Sequence, residues 1–293
     1  MLNEADALVP IPETVRRLGL VALEHLLTIA GLNKTLEGKG PFTLFGPNDE
    51  AFRKLPDWAK KAVSNKTVLV EFLKYHVLPG LLNAKDLKND LLVPTVQGPK
   101  VRVNIYNKIP TDRKMITAQC APIELERVDK QASNGLIHVL QGVMIPPAGN
   151  AVVSLAACPK FQTLVKLVKL AGLTQTLAGG DHFTIFAPTN DAIAKVPQAL
   201  LDKLLKDKKL LTKVLTYHVV PSTLCSAGIS KGPVKTVEGQ TVQLSVSERG
   251  VKVNNANVIY ADGSITNGVI HAIDTVLLPP TLAEHRRVGP VAI

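Results

Sequence analysis

The sequence contains one internal repeat, and this repeat constrains the fold more than any other feature. Three blocks of residues occur in the same order in both halves, roughly 140 residues apart. They are residues 42–52, 75–79 and 134–138 in the first half, and 183–193, 217–221 and 267–271 in the second. A period this long exceeds the roughly 20–50 residues of a solenoid repeat, so each copy is expected to form a domain with its own core.

The length agrees with this division. A chain of 293 residues suggests two domains at about 150 residues each. A Pro-Pro pair closes each repeat, which predicts domains over residues 1–147 and 148–281, followed by a tail over residues 282–293. The first copy carries eight extra residues between Gly98 and Asn134, and we expect them in a longer hairpin around residues 109–112.

The composition excludes several classes of protein. Apolar residues make up 46% and charged residues 20% of the chain, which argues against disorder, collagen and coiled coils. No apolar run is long enough to span a membrane. Aromatic residues make up only 4%, with a single Trp, too few for the stacking surfaces of proteins that bind single-stranded nucleic acid. Residues 1–6 do not resemble a secretory signal, so we expect either a cytosolic protein or a fragment that lacks its export signal.

Helical periodicity marks the beginning of each repeat. Apolar residues recur at helical spacing over residues 14–30 and 161–171, and Gly31 and Gly172 follow as C-terminal stops. A further helix in each repeat leads into a Tyr-His pair. Both copies therefore begin with predicted helices.

Strand patterns dominate the later part of each repeat. Residues 42–45 predict a short buried strand, and in the second repeat Val242, Leu244 and Val246 alternate with polar residues, which predicts that they share one strand face. Helices followed by antiparallel strands predict an α+β domain.

Three motifs, each present in both halves, carry a resemblance to a known family. In the first half they read Phe-Thr-Leu-Phe-Gly-Pro-Asn-Asp-Glu-Ala-Phe, Tyr-His-Val-Leu-Pro and Asn-Gly-Leu-Ile-His, with a Pro-Pro pair downstream. Over roughly residues 12–280, their order resembles that of tandem fasciclin-like domains. The resemblance implies two α+β domains, each a β-sandwich or wedge with flanking helices. It also implies an extracellular protein of cell adhesion and matrix assembly, with integrin-type receptors and matrix proteins such as collagen as partners.

The Tyr-His pairs are the first adhesion candidates that the resemblance implies. In related proteins this motif is linked to integrin-mediated adhesion, which singles out Tyr75, His76, Tyr217 and His218. Their Val and Pro neighbours favour burial instead, and a buried hydroxyl or imidazole needs a hydrogen-bond partner. Structural support is therefore the stronger interpretation of these four residues.

An aspartate before each Asn-Gly is the second adhesion candidate. Some relatives carry an Asp-Ile pair five residues before the Asn, in what resembles an integrin-recognition site. Asp129 and Asp262 match the Asp, but Lys130 and Gly263 replace the Ile. An aspartate carboxylate could bind the metal ion of an integrin, since hard cations prefer oxygen ligands. The alternative is that both are ordinary turn residues.

Four histidines occupy equivalent places in the repeats, and a metal site could join them in pairs. They are His76 with His138, and His218 with His271. No Cys or carboxylate lies near them at ligand spacing, which favours core histidines with hydrogen-bonded nitrogens. We therefore expect no metal site.

No catalytic signature is present in the sequence. It contains no Gly-x-Ser-x-Gly, no phosphate-binding glycine loop and no His-Glu-x-x-His. The acidic segments at Asp49-Glu50 and Asn190-Asp191 stand at helix starts, where capping explains them. We expect no enzyme activity, no catalytic residue and no cofactor.

The excess of basic over acidic residues indicates an alternative function. The net charge is +10, and Lys206, Lys209 and Lys213 share a face if residues 202–213 form one helix. Such a face could bind a glycosaminoglycan by charge. The commoner explanation is a solvated helix surface.

The cysteines and glycosylation triplets bear on the compartment. The three cysteines Cys120, Cys158 and Cys225 allow three pairings. Tandem relatives have cysteines in similar places that bridge adjacent domains, so the resemblance favours Cys120 with Cys225. Cys158 with Cys225 is the alternative, and three reduced thiols are expected in a cytosolic protein. Asn33 and Asn65 begin Asn-x-Thr triplets, which together with the resemblance favours secretion into the extracellular matrix.

Overall fold

The computed structural model describes residues 7–180 and 182–283. The chain divides into two compact units. The first contains the described residues up to Asn107 and the segment Asp112–Pro146, and the second contains Lys108–Thr111 and the described residues from Pro147 onward. Of the predicted tail, residues 284–293 lie outside the described part of the chain.

The first unit places most of its helices before its strands. Its helices are α1 (Ile11–Arg17), α2 (Val21–Ala30), α3 (Asn33–Leu36), α4 (Asp49–Arg53), α5 (Asp57–Val63) and α6 (Lys66–Lys74). Its strands are β1 (Phe42–Pro47), β2 (Val77–Pro79), β3 (Leu91–Val93), β4 (Val101–Lys108), β5 (Arg113–Ala118), β6 (Ala121–Pro122), β7 (Lys130–Ala132) and β8 (Gly135–Leu140). Short 3₁₀ turns cover Ala84–Asp86 and Leu125–Arg127.

The strands of the first unit form two four-stranded sheets, ordered β2-β1-β8-β7 and β3-β4-β5-β6. At the centre of the first sheet, β1 and β8 pair in parallel, with Phe42 opposite Gly135 and Phe45 opposite His138. This parallel pair brings the first and third sequence motifs side by side, although about 90 residues separate them.

The second unit repeats this arrangement of elements. Its helices are α7 (Ala151–Ala157), α8 (Gln162–Ala171), α9 (Thr174–Ala178), α10 (Asn190–Ala194), α11 (Gln198–Lys206), α12 (Lys208–Tyr217) and α13 (Pro280–Ala283). Its strands are β9 (Phe183–Pro188), β10 (Val219–Val220), β11 (Gly232–Lys235), β12 (Thr241–Ser247), β13 (Gly250–Val253), β14 (Ala256–Ile265) and β15 (Gly268–Ile273). Short 3₁₀ turns cover Pro159–Phe161 and Ser226–Gly228.

The second unit joins its strands into one seven-stranded sheet, ordered β10-β9-β15-β14-β13-β12-β11. The long strand β14 makes this possible, because its first residues pair with β13 and the rest pair with β15. Irregular pairing between Val258 and Gly263 changes the direction of β14 within the sheet. The parallel centre is the same as in the first unit, with β9 against β15.

Each unit has two hydrophobic clusters that separate by strand alternation. In the first unit, Leu44, Ile137 and Val139 pack against the helices, whereas Phe45 and Leu140 pack against residues of the second sheet. Both faces of the central parallel strands are therefore covered, as is usual for parallel pairing. This layering agrees with an α+β sandwich with flanking helices.

The structure corrects one detail of the sequence prediction. The helix predicted over residues 14–30 is broken, because α1 ends at Arg17 and Gly19 turns the chain at a φ of +69° before α2. The β12–β13 register is regular, so Val242, Leu244 and Val246 share one strand face, although Val246 is 48% exposed near the end of β12. The glycine stops are confirmed, with Gly31 and Gly172 in the left-handed conformation at the helix ends.

The capping residues differ in part from those expected. The caps of α4 and α10 are Asn48 and Thr189, whose side-chain oxygens accept from Ala51 N and Ala192 N. The following residues cap neighbouring helices instead. Asp49 Oδ1 accepts from Ala22 N at 2.9 Å, and Asn190 Oδ1 accepts from Thr163 N at 3.0 Å. This polar segment therefore fastens two helices in each unit, which accounts for its repetition without a catalytic role.

The Asn-Gly motif allows a close backbone approach that predicts a strong substitution effect. A Cβ on Gly135 would stand 2.1 Å from Phe42 O, and one on Gly268 would stand 1.9 Å from Phe183 O. We expect Gly268→Ala, which is also strained at its φ of +137°, to lower the free energy of unfolding by about 2 kcal/mol or more.

The matched control is Gly180→Ala, because a Cβ there meets no atom within 4 Å. Urea unfolding followed by circular dichroism measures both variants. Equal stability of the two would contradict the close-approach argument.

Candidate functional site

The Tyr-His pairs lie at the ends of α6 and α12, inside the two units. Tyr75 and His76 are fully buried, and Tyr217 and His218 are 1% and 3% exposed. Each helix presents apolar residues to the core, so the residue pair at its C-terminal end is carried inward. The interior position gives these residues packing and hydrogen-bonding roles in both units.

The two Tyr-His imidazoles make the same pair of backbone hydrogen bonds. His76 Nδ1 donates to Phe72 O at 2.9 Å, and its Nε2 accepts from Met144 N at 3.1 Å. His218 Nδ1 donates to Val214 O at 2.8 Å, and its Nε2 accepts from Leu277 N at 2.9 Å. Only a neutral ring can donate at one nitrogen and accept at the other. Each imidazole thus ties its helix to the segment that follows the last strand.

Burial makes the neutral form strongly favoured. Removal from water lowers the pKa of both His76 and His218 to about 4. The tyrosine hydroxyls also bond to the backbone, with Tyr75 Oη donating to Lys100 O at 3.1 Å and Tyr217 Oη donating to Thr241 O at 2.8 Å. Burial raises the pKa of both hydroxyls, so they remain protonated donors.

A second buried histidine in each unit positions the adhesion-candidate aspartate. Asp129 has a φ of +50°, and its N–H donates to His138 Nδ1 at 3.2 Å. His138 Nε2 donates to Leu82 O at 2.7 Å, and burial lowers the pKa of this imidazole. The left-handed turn at Asp129 is thereby fixed by a core side chain.

The second unit repeats this arrangement with one difference. Asp262 has a φ of +60°, its N–H donates to His271 Nδ1 at 3.2 Å, and His271 Nε2 donates to Leu224 O at 2.8 Å. Asp262 Oδ1 accepts from Ser226 N at 2.8 Å, and its Oδ2 accepts from the Ser226 hydroxyl. Both carboxylate oxygens of Asp262 therefore have partners within their own unit.

The Asp129 carboxylate is more accessible to a partner. Its Oδ1 accepts from Ala84 N at 2.9 Å, and among the described contacts its Oδ2 takes no hydrogen bond. The side chain is 40% exposed and lines a cavity of about 300 Å³ together with Leu81, Asn83 and Gln131. Of the two aspartates, Asp129 thus has the carboxylate with fewer hydrogen bonds among the described contacts.

Neither histidine pair has a nitrogen free for a metal ion. Across residues 7–180 and 182–283, each ring nitrogen of the four equivalent histidines has a backbone hydrogen-bond partner. Coordination would require breaking one of these bonds. The rings therefore act as structural connections.

The Asn of the third motif has a role that the sequence did not reveal. Asn134 Oδ1 accepts from Ile11 N at 3.0 Å, and its Nδ2 donates to Leu36 O and Gly38 O at 2.6 and 2.7 Å. Asn267 makes the equivalent bonds in the second unit. One side chain thus connects its own strand end to two distant backbone segments, at residue 11 and at residues 36–38. The recurrence of Asn before Gly was the only sequence signal for this role.

The proposed lysine face does not form as expected. The chain does not continue as one helix through residues 202–213, because α11 ends at Lys206 and Asp207 caps α12. Lys206 is therefore on a different helix from Lys209 and Lys213. Lys213 Nζ also lies 3.5 Å from Glu238 Oε1 and 3.3 Å from Thr281 Oγ1. The Asp207 break removes the geometric basis of a three-lysine face.

The cysteines and glycosylation triplets have the following places. Cys120 and Cys225 are disulfide-bonded, and Cys158 is a free thiol. Asn65 is exposed at the N-cap of α6, with Oδ1 accepting from Thr67 N, whereas Asn33 is half-buried and its Nδ2 donates to Thr28 Oγ1.

No single helix in residues 7–180 and 182–283 has the length and apolar character to cross a membrane, although the bent pair Ala151–Ala157 and Pro159–Ala171 passes by length and composition alone.

Comparison with known proteins matches both halves to one family model. The fasciclin domain model matches residues 19–146 and 159–279. The transforming growth factor-beta-induced protein ig-h3 of Sus scrofa is 30% identical over 253 residues, covering 85% of this chain and 36% of that protein. Human periostin is 28% identical over 258 residues, covering 87% of this chain and 29% of periostin. The chain thus spans about a third of the length of these relatives.

The comparison also matched a solved structure. It is a FAS1 domain pair from the insect cell adhesion molecule fasciclin I, with 18% sequence identity and a TM-score of 0.43. The match covers 92% of this chain and 96% of the solved chain.

The buried imidazoles predict a stability loss in acid. With a folded pKa of about 4 against an ordinary 6.5, His76 and His218 favour folding fully above pH 6.5, and this contribution falls as pH drops towards 4. The shift corresponds to roughly 3 kcal/mol per residue. Replacing His76 with Gln should remove one such contribution from the pH dependence of the unfolding free energy.

Urea unfolding between pH 7 and pH 4 tests this expectation. His25→Gln is the matched control, because His25 is exposed and lies outside the core. The same pH dependence in both variants would show that the buried ring is not responsible.

The cysteine states predict a simple labelling pattern. Iodoacetamide should label only Cys158 in the native protein, because Cys120 and Cys225 are disulfide-bonded. Reduction under denaturing conditions should expose the other two thiols, as read by mass spectrometry. A Cys158→Ser variant should take no label without reductant, and labelling at Cys120 or Cys225 would show that the bond is absent.

Proposed function

This chain belongs to the fasciclin domain family through both of its halves, and we propose that it is a cell-adhesion and matrix-assembly module of an extracellular protein. Similarity to periostin and to the transforming growth factor-beta-induced protein supports an adhesive role. Partners are proposed to be integrin-type receptors and matrix proteins such as collagen. No catalytic step is proposed.

The accessible Asp129 carboxylate is the observation that carries the receptor proposal. Its backbone is fixed by His138 and its Oδ1 by Ala84, so the remaining oxygen has a defined position in a part-exposed cavity. A rigid carboxylate loses little conformational entropy when it binds a cation. A divalent ion held by an integrin is a suitable hard partner for this oxygen.

Two domains in one chain support multivalent binding. Each unit carries the same Asp-His arrangement, although Asp262 is held by Ser226 in the second unit. Two linked modules raise the effective concentration of the second binding event when their spacing suits the partner. We therefore propose that Asp129 contributes the stronger receptor contact, with Asp262 as a weaker counterpart.

The buried Tyr-His pairs support adhesion indirectly in this proposal. Because Tyr75 and Tyr217 are inside their units, a change there would act on adhesion by destabilising the domain. Direct receptor contact through these residues would require the end of the helix to leave the core.

Secretion is part of the same proposal. A disulfide at Cys120 and Cys225 suits an oxidising compartment, and we propose that these two cysteines pair with each other. Asn65 is the better glycosylation site of the two, because it is exposed and its cap uses only the side-chain oxygen. Binding of a glycosaminoglycan through the net charge of +10 is the alternative function.

Cell attachment to immobilised protein tests the receptor contact. Asp129→Asn removes the charge, yet its amide oxygen can still accept from Ala84 N, so the fold should survive. We expect attachment to fall about fivefold or more, since a charged contact at a binding site contributes on the order of 1 kcal/mol. Chelation of divalent ions should abolish attachment, whereas soluble heparin should not.

Asp86→Asn is the matched control, because Asp86 is exposed in the 3₁₀ turn that Asp129 caps. Attachment that survives chelation, or that both substitutions weaken equally, would contradict the receptor proposal. Loss with heparin alone would support the glycosaminoglycan alternative.

A further inference from the structure

An apolar groove lies between α5 and α6 of the first unit, away from the Asp129 cavity. Its volume is about 370 Å³, and its lining includes Trp58, Ala62, Val68, Phe72 and Gln97. This volume is within the range of known ligand sites, about 300–1,000 Å³. The groove plays no part in the proposed receptor contact.

The groove exposes apolar side chains that the core does not cover. Trp58, the single Trp of the chain, is 52% exposed, and Val68 on the facing helix is 43% exposed. Single exposed apolar residues are ordinary, but a concave surface that groups them is typical of a binding site.

A polar atom beside the groove is also without a partner. Gln97 lines the groove, and its Oε1 is buried and accepts no hydrogen bond from the described residues. A buried acceptor without a donor costs free energy. Because this oxygen is closed to solvent, a bound N–H or O–H group relieves that cost only when the Gln97 side chain turns its amide towards the groove.

The helices that form the groove carry a positive surplus. Asp57 lies 4.0 Å from Lys60, and Glu71 lies 3.0 Å from Lys74. Glu71 itself lines the groove, whereas Lys61 and Lys66 do not, although they are exposed and directly precede the lining residues Ala62 and Thr67. Because Glu71 is paired with Lys74, and Lys61 and Lys66 have no acidic partner among the described ion pairs, the two helices keep a net positive charge that favours acidic groups on a partner.

We propose that this groove docks an amphipathic helix of a partner protein, with acidic residues flanking the apolar face of that helix. The groove is lined from two neighbouring helices, and helix-in-groove docking would present apolar side chains at i, i+3, i+4 and i+7 to them. The buried Gln97 Oε1 is matched by a hydroxyl or amide on the apolar face. A fatty acid suits the groove less well, because its one charged group cannot also donate to Gln97.

Trp58 emission reports directly on the groove, because the chain has no other Trp. The probe is a synthetic, Trp-free helical peptide with Leu and one Tyr on its apolar face and Glu on both flanks. Its binding should shift Trp58 emission to shorter wavelength in a saturable titration. The control peptide carries Lys in place of Glu and should bind at least about tenfold more weakly.

Two protein variants test the two components of the site. Lys61→Glu with Lys66→Glu should weaken binding of the Glu peptide about tenfold through reversed rim charge. Lys160→Glu with Lys166→Glu is the matched control, because both lysines are exposed in the second unit. Ala62→Phe should abolish the emission shift by filling the groove while it keeps Trp58 as reporter, with circular dichroism to verify the fold.

Several outcomes would overturn the proposal. Equal affinity for the Glu and Lys peptides would remove the charge argument, as would equal weakening by the two double variants. Undiminished binding by a folded Ala62→Phe variant would place the peptide elsewhere. A saturable shift with decanoate, and none with the Glu peptide, would assign the groove to a lipid.

Discussion

The parallel pairing of β1 with β8, repeated by β9 with β15, is the constraint on which each unit depends. It places the first and third motifs side by side and buries them on both faces. The glycine at the start of the second strand permits this approach, because its neighbour's carbonyl oxygen occupies the space of a Cβ. Asn134 and Asn267, which directly precede these glycines, then secure the adjoining segments through three backbone hydrogen bonds each.

The buried histidines extend this framework in two directions. His76 and His218 connect the helix before the second strand to the segment after the last strand. His138 and His271 connect the central sheet to a left-handed aspartate turn. The repeated motifs are therefore mostly internal connections, and their repetition reflects the stability of each unit. Surface properties can then differ between the copies without disturbing the fold.

The two copies do differ where they face solvent. Asp262 is satisfied by Ser226, whereas Asp129 keeps one oxygen available among the described contacts. The Trp58 groove is built from α5 and α6 of the first unit. One framework thus supports two non-identical surfaces.

The sequence alone determined the repeat, the α+β class, the helix-ending glycines and the structural character of the Tyr-His pairs, because these follow from local periodicity and from the cost of burying polar groups. It did not show the break at Gly19 or the break at Asp207, since a local apolar pattern continues across both. The sequence also did not reveal which residues far apart in the chain contact each other. Only the tertiary structure decided that Asn134 connects its own strand end to two distant backbone segments and that Trp58 lines a groove. It also decided that both carboxylate oxygens of Asp262 are hydrogen-bonded, whereas among the described contacts one oxygen of Asp129 is not. Each of these depends on residues far apart in the chain that meet only when the strands and helices pack.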